Sequence, residues 1–171
     1  DANNIALDKK NLLIKNIKND LKRMNQLITD ISNFTRLKAE IELEKNEYIK
    51  LNDFLEQIPE IFTNNNKGVK IIFKKNKENY EILANKNKLI QVFTNLIDNS
   101  ISLSSEGSKI LIELDKDDEK FISIRFYDQG KGIDPKDSEK IFERFYSDRH
   151  ENIKNHTGLG LSIAREIIYH M

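Results

Sequence analysis

The chain has 171 residues with 28 basic and 28 acidic side chains, so its formal net charge at pH 7 is zero. This balance gives no electrostatic reason to expect a nucleic-acid partner. Cysteine is absent, which excludes disulfides and thiolate metal sites, and no apolar run approaches the ~20 residues of a membrane-spanning helix.

The first predicted element is a long amphipathic helix from about residue 7 to residue 44, a stretch without Gly or Pro. Its apolar residues alternate in spacings of three and four, which indicates a helix bundle: Ile14, Ile17, Leu21, Met24, Ile28 and Ile31. Such a helix needs a partner helix, and no second one of this kind follows. The alternative is packing on its own domain, but the stripe is too long for a small domain to cover.

The next segment predicts a strand, a helix and a hairpin. Residues 47–51 form the strand, and Asn52 or Asp53 is suited to cap a helix that runs to about Asn64 and contains Pro59. Residues 69–75 and 80–84 are predicted as the two strands of one hairpin.

A helix around residues 91–102 carries Asn95 and Asn99. The two amides are four residues apart and therefore project from one face, while the other face is apolar. Amide oxygens can hold a hard cation, with water and phosphate oxygens completing its coordination shell. The alternative is a core helix with two solvated asparagines.

Two half-buried strands follow, in which Ile110, Ile112 and Leu114 and then Ile122, Ile124 and Phe126 alternate with polar residues. An acidic turn at residues 115–120 joins them. Directly after the second strand stands Asp128-x-Gly130-x-Gly132. Its carboxylate can accept a hydrogen bond from an exocyclic amine such as that of adenine, and the glycines let the backbone approach a flat ring.

Residues 141–146 predict a short aromatic helix, and residues 147–157 a polar loop. Gly158 and Gly160 then open the final helix, whose free backbone N–H groups favour an anion such as a phosphate chain. The pattern is not that of a P-loop, because the lysine and hydroxyl residue of that motif are missing.

As an ordered set, these motifs resemble the N, G1, F and G2 boxes of bacterial sensor histidine kinases: Asn95-x-x-x-Asn99, Asp128-x-Gly130-x-Gly132, Phe142-Glu-Arg-Phe145 and Gly158-x-Gly160-Leu161. Residues 27–37 resemble the second helix of the dimerisation and phosphoacceptor hairpin of that family. Residues 142–149 and 158–163 are similar to the envelope-stress kinases of α-proteobacteria, the ChvG type.

The resemblance implies an α+β fold, namely the histidine-kinase-type ATPase α/β sandwich, preceded by a long helix of a dimeric four-helix bundle. Residues 1–45 would be part of the second hairpin helix, and residues 46–171 the ATP-binding catalytic domain without its C-terminal strands. The parent protein would be a homodimer anchored in the bacterial inner membrane, with this portion in the cytoplasm. It would pass phosphate from ATP to a His and then to a response regulator.

The same resemblance implies that ATP binds with Mg²⁺, which Asn99 and Asn95 would hold. Asp128 would accept the adenine amine, and residues 147–157 would form a lid. The implied nucleotide-binding residues are Asn95, Asn99, Asp128, Gly130, Gly132, Ile133, Phe142, Arg149, Thr157, Gly158, Leu159, Gly160 and Leu161. No residue of the chain is implied as a catalytic group.

The phosphoacceptor His has no equivalent among His150, His156 and His170. His150 is followed by an acid, but it lies in the predicted lid and no Pro follows, so we interpret it as a solvated loop residue. We expect the acceptor helix to precede Asp1, and the chain alone not to phosphorylate itself.

Two alternative functions stay open at this point. One is a related ATP-hydrolysing machine, as in type II topoisomerases, heat-shock chaperones or mismatch-repair clamps. Those proteins place a Glu base where Asn95 stands, and Asn has no useful basicity. The other is a non-catalytic module that dimerises and binds nucleotide.

Overall fold

The computed structural model describes residues 9–21, 24–25, 28–29, 32, 45–63, 67–116, 121–146 and 157–171. From residue 45 onward the regular elements are β1 (Glu47–Lys50), α1 (Leu51–Ile61), β2 (Lys70–Lys74), β3 (Glu81–Ala84), α2 (Lys86–Leu103), β4 (Lys109–Lys116), β5 (Ile122–Tyr127) and α3 (Gly160–His170). Two short 3-10 turns, Pro135–Asp137 and Lys140–Phe142, lie between β5 and α3.

The strands form two sheets. In the larger one, β4 lies between β2 and β5, parallel to β2 and antiparallel to β5. In the smaller one, β1 pairs antiparallel with β3, so that Ile49 stands opposite Ile82. The prediction that residues 69–75 and 80–84 form a hairpin is therefore wrong. Both stretches are strands, but each pairs with a different partner.

Asn52 explains why the chain does not fold back after β2. Its side chain is buried, with 1% of the residue exposed, and its Nδ2 donates to the carbonyls of Asn76 at 3.0 Å and Glu78 at 2.9 Å. Its Oδ1 accepts from the Asn76 N–H at 3.2 Å. These bonds hold the β2–β3 connection against α1. We call Asn52, Asn76, Glu78 and Asn79 the Asn52 network.

The same network corrects the predicted cap of α1. The helix begins at Leu51, and its N-cap Lys50 makes no side-chain capping bond. Asn79 Oδ1 instead accepts from the Asn52 N–H at 3.1 Å. One of the N–H groups that every helix start leaves unpaired is thus satisfied by the loop.

The main core lies between the larger sheet and the helices α1 and α2. Alternate residues of β4 point into it, because successive side chains of a strand face opposite sides of a sheet, and Ile112 and Leu114 are buried there. Phe93 of α2 contacts Phe54 of α1 with ring centroids 5.4 Å apart and Phe126 of β5 at 5.3 Å. The predicted β4–β5 hairpin and the helix around residues 91–102 are confirmed.

A second apolar cluster joins α3 to α2. It consists of Val92 on α2 and of Leu159, Ile163, Ala164 and Ile167 from α3 and the residue before it, with Leu96 packed at its side. Helix α2 therefore has apolar neighbours on two sides, the sheet on one and α3 on the other. This position brings the middle of α2 next to the beginning of α3.

The predicted N-terminal helix is confirmed where the structure describes it, at residues 9–21, 24–25, 28–29 and 32. Its described stripe residues, Ile14, Ile17, Leu21, Met24 and Ile28, are 41–60% exposed. Ile31 and residues 33–44 lie outside the described residues. Among the parts of the chain that the structure describes, no helix has the length and hydropathy to cross a membrane.

Candidate functional site

The first part of the candidate site is the middle of α2, where Asn95 and Asn99 are both half-buried. The Nδ2 atom of Asn95 is buried and has no hydrogen-bond partner among the described residues. A buried donor without a partner is unusual, because losing water costs free energy that only a hydrogen bond recovers. Partial burial also raises the pKa of the Asp98 carboxyl on the same helix.

The beginning of α3 lies directly beside Asn95. A Cβ added at Gly160 would stand 3.5 Å from Asn95 Oδ1. Helix α3 is 11 residues long, and its N-cap Leu159 makes no side-chain capping bond. Within the part of the chain that the structure describes, the first N–H groups of α3, at the positive end of its dipole, therefore have no N-cap side chain to accept from them. Two kinds of unpaired donor, an amide nitrogen and a helix N-terminus, are neighbours here.

The third part of the site is Asp128, which follows β5. Its Oδ1 accepts from the Gly130 N–H at 2.9 Å, and its Oδ2 accepts from Ser100 Oγ of α2 at 3.2 Å. Gly130 is pressed against α2, because a Cβ there would lie 3.3 Å from Leu103 Cβ and 3.0 Å from Asp128 Oδ1. The carboxylate is therefore held in one orientation at the surface, beside the helix that carries Asn95 and Asn99.

The other residues of the predicted site differ in burial. A Cβ at Gly132 would meet no atom within 4 Å, and Ile133 is 54% exposed. Leu159 is buried in the second apolar cluster, and Leu161 is half-buried in the first turn of α3. Arg149, His150, His156 and the lid residues 147–156 lie outside the described residues.

The predicted aromatic helix at residues 141–146 is wrong in form. The structure has one 3-10 turn, Lys140–Phe142, after which Glu143 is extended. Arg165 of α3 lies over the Phe142 ring, with its Cζ 5.4 Å from the centroid. This cation–π contact joins the turn to α3.

The residues that flank the predicted lid, 145–146 and Gly158, are in contact. The Gly158 carbonyl accepts from the Phe145 N–H at 3.0 Å, and the φ of Gly158 is +72°, a conformation that favours glycine. A Cβ at Gly158 would lie 2.7 Å from Phe145 C and from Tyr146 O. Phe145 itself has φ +65°. We call this contact between Gly158 and residues 145–146 the clasp.

The sequence analysis missed two residues of this region. Ser100 is 6% exposed and continues the buried face of Phe93 and Ile97, and such a position for a hydroxyl is a signal that it has a specific partner. Lys67 Nζ donates to the carbonyls of Ser102 and Ser104, each at 2.8 Å, at the C-terminal end of α2. No local pattern could link Lys67 to a helix end so distant in the sequence.

An amide-bearing helix beside a helix N-terminus, over a mixed sheet, offers donors for an anion such as a phosphate chain. Residues 84–171 match the family model described as histidine kinase-, DNA gyrase B- and HSP90-like ATPase. The chain belongs to this family of ATPases, and residues 84–171 are the part of it that the family model covers. The expected fold class and the expected resemblance to sensor histidine kinases are both confirmed.

Among the relatives, the chain is 32% identical over 171 residues to the sensor protein ChvG of Agrobacterium fabrum. This alignment covers 94% of the chain and 28% of ChvG. It is 27% identical to the catalytic domain of the histidine kinase ThkA, with a TM-score of 0.62 over 73% of this chain and 80% of that one. Full-length ShkA in complex with AMPPNP has the same fold, with a TM-score of 0.72 at 24% identity over 88% of this chain and 31% of ShkA. The chain thus spans less than a third of ChvG.

Proposed function

We propose that the chain is the ATP- and Mg²⁺-binding kinase core of a sensor histidine kinase. It transfers the γ-phosphoryl group of ATP to a His on the other helix of the dimerisation hairpin, from which the group passes to a response regulator. The observation that carries this proposal is the unpaired Asn95 Nδ2 beside the uncapped start of α3. Phosphate oxygens would satisfy both.

The donors present fit a nucleotide with its metal. Asp128, oriented by Gly130 and Ser100, would accept the adenine amine. Asn99, with Asn95 beside it, would offer an amide oxygen to Mg²⁺, which prefers oxygen ligands and keeps several waters. The residues proposed to surround the base and the phosphates are Gly130, Gly132, Ile133, Phe142, Arg149, Thr157, Gly158, Leu159, Gly160 and Leu161.

The chemistry asked of these residues is positioning and charge neutralisation, which dominate catalysis of phosphoryl transfer. Mg²⁺ supplies neutralisation of the phosphate charge when it is bound. The chain itself contributes oriented amides and a helix N-terminus. An Asn at position 95 supplies no base to activate water, which favours transfer to a His over hydrolysis.

The N-terminal helix belongs to the proposal as well. We assign residues 1–45 to the dimerisation hairpin and residues 46–171 to the catalytic domain. Each large aliphatic side chain of the stripe gains about 1.5–3 kcal/mol on burial, so leaving the stripe 41–60% exposed favours association. Its partners would be a second hairpin helix and a second copy of the protein. The whole protein would be anchored in the inner membrane.

The nucleotide assignment is tested by titrating the full chain with a fluorescent ATP analogue and Mg²⁺ and displacing it with ADP. Asp128→Ala removes a charge-assisted hydrogen bond worth about 1.5–3 kcal/mol, so ADP affinity should fall roughly 10- to 150-fold. Asp115→Ala, an exposed aspartate on β4, is the matched control and should bind normally. Equal affinity of the wild type for adenine and guanine nucleotides would contradict the role of Asp128.

The metal assignment predicts that Asn99→Ala weakens nucleotide binding more with Mg²⁺ than without it. An equal loss in both conditions would make Asn99 a structural residue.

Phosphate transfer is tested with γ-labelled ATP. The chain alone should take up no acid-labile phosphate, and it should label an added hairpin that contains the acceptor His. Release of inorganic phosphate without any labelled hairpin would favour the ATP-hydrolysing alternative.

A further inference from the structure

The hydroxyl of Ser100 is bonded differently from those of two other helical serines. Ser102 Oγ donates to the Asn99 carbonyl of its own helix at 2.9 Å, and Ser162 Oγ donates to the Leu159 carbonyl at 2.8 Å. Local bonds of this kind are the usual outcome for a serine within a helix. Ser100 Oγ instead leaves α2 and donates to Asp128 Oδ2 at 3.2 Å.

The position of Ser100 makes this bond specific. The residue is 6% exposed and lies on the face of α2 that buries Phe93 and Ile97. A hydroxyl on such a face costs free energy unless it finds a partner, and an alanine would pack there without that cost. The bond to Asp128 is therefore what a hydroxyl contributes at this position.

The carboxylate of Asp128 is held by two donors and still has room for a ligand. Gly130 N–H occupies one lone pair of Oδ1, and Ser100 Oγ occupies one of Oδ2. A carboxylate has about four lone-pair sites, so each oxygen keeps one. Because the two donors belong to different segments of the chain, they fix the rotation of the carboxylate and the directions of the free lone pairs.

We propose that Ser100 is a positioning residue that sets the purine preference of the nucleotide site. It holds Asp128 so that the carboxylate accepts a hydrogen bond from an amino group at purine position 6 and repels a carbonyl oxygen there. This inference rests on the proposed function. Without the hydroxyl, the Gly130 amide alone holds the carboxylate, which can then rotate, and the benefit of a preorganised acceptor is lost.

Leu103, one turn after Ser100 on α2, packs closely against the loop that carries Asp128 and Gly130. A Cβ at Gly130 would come within 3.3 Å of Leu103 Cβ and within 3.4 Å of the Leu103 carbonyl oxygen. With any other residue at position 130, the loop or Leu103 would have to shift by a few tenths of an ångström. Gly130→Ala should displace the loop and weaken the purine preference through the second anchor of Asp128.

The test compares ADP with inosine diphosphate, which carries an oxo group where ADP carries the amino group. Both are titrated into the full chain by displacement of the fluorescent ATP analogue. The wild type should prefer ADP. In Ser100→Ala this preference should fall roughly 2- to 12-fold, the effect of one hydrogen bond, through weaker ADP binding and unchanged or tighter inosine diphosphate binding.

Three variants separate positioning from packing. Ser100→Thr keeps the hydroxyl and should keep the preference. Ser100→Cys keeps the approximate size of the side chain but donates only weakly, and it should behave like the alanine variant. Ser102→Ala removes a hydroxyl that is bonded within the same helix and should leave the preference unchanged.

An unchanged preference in Ser100→Ala and Ser100→Cys, with normal ADP binding by the wild type, would overturn this inference alone. So would an equal loss of affinity for both nucleotides, because that pattern marks a residue that only maintains the fold. A wild type that binds neither nucleotide would overturn the proposed function and this inference together.

Discussion

Asn52 and Asn95 are both asparagines on helices beside buried surfaces, and they differ in one respect. Every polar atom of the Asn52 side chain is bonded, with Nδ2 donating to two carbonyls and Oδ1 accepting an N–H. The Nδ2 atom of Asn95 is buried without a partner. A closed set of hydrogen bonds stabilises the fold, whereas an open one is completed by something that is bound.

The surroundings of the two residues follow the same division. Asn52 is enclosed by the backbone of the β2–β3 connection, which bonds both polar atoms of its side chain. Asn95 adjoins the start of α3, where further N–H groups lack a side-chain cap. We infer that the hydrogen bonds of Asn52 stabilise the fold, whereas those of Asn95 form only when a ligand binds. Substitutions in the two regions should therefore affect different measurements.

The largest expected effect is that of Asn52→Ala on stability. The substitution leaves the N–H of Asn76 and the carbonyls of Asn76 and Glu78 without partners, and it should lower the free energy of unfolding by about 3 kcal/mol. Denaturant titration measures this loss. ADP affinity at a temperature where the variant is folded should be unchanged, and a parallel loss of affinity would show that the two regions are coupled.

Gly158→Ala should show that the site region also has a rigid point, at the clasp. The left-handed backbone costs an alanine about 1–2 kcal/mol, and the contact with Phe145 and Tyr146 backbone atoms adds to this. Gly107 is the matched control, because its φ is also +72° while a Cβ there meets nothing within 4 Å. Equal destabilisation of the two alanine variants would mean that the backbone at the clasp shifts to accommodate the added methyl group without cost.

Asn95→Ala should change the free energy of unfolding by less than about 1 kcal/mol, because losing an unpaired buried nitrogen offsets the cavity left behind. Nucleotide binding should nevertheless weaken, as measured by displacement titration. A loss of stability as large as that of Asn52→Ala would make Asn95 a structural residue and remove the contrast between the two regions.

The smallest effect is expected where hydrogen bonds are satisfied but exposed, at Asp115. Its carboxylate accepts a hydrogen bond from the Arg125 guanidinium at 3.0 Å and another from the Lys116 N–H at 2.9 Å. These bonds lower the pKa of Asp115 below its ordinary value. Its contribution to stability is therefore present at neutral pH and is lost as the pH falls through the lowered pKa. Asp115→Asn should be slightly less stable than the wild type at pH 7, and the difference should vanish in acid. A difference that persists in acid far below the lowered pKa, where the carboxyl is fully protonated, would refute this cause.

The local patterns of the sequence predicted most of the elements and the nucleotide motifs. Residues that alternate, as in β4, or that carry an apolar face, as in α2, express their structure over a few positions. Asn95 and Asp128 were found because each stands in a short motif whose chemistry is local. Their individual roles at a nucleotide stay predictions.

The errors arose where distant residues decide the structure. Residues 70–74 and 81–84 look like a hairpin because they are short, apolar and close in sequence, yet β2 pairs with β4 across the whole of α2. Asn52 resembles a helix cap until its partners, 24 and 26 residues away, are known. Ser100 is likewise defined by a bond to a residue 28 positions on. Side-chain bonds of this range have no signature in a local window.

The clasp has a consequence for how the length of the lid can vary. Residues 147–156 leave and rejoin the domain at two points that the Gly158 contact already holds together. The entropy of closing a flexible loop grows only with the logarithm of its length, so doubling the number of residues with an inserted Gly/Ser tract costs about 0.6 kcal/mol. Because the Gly158 contact already sets the spacing between the two ends, an insertion between them need not move the elements that carry those ends.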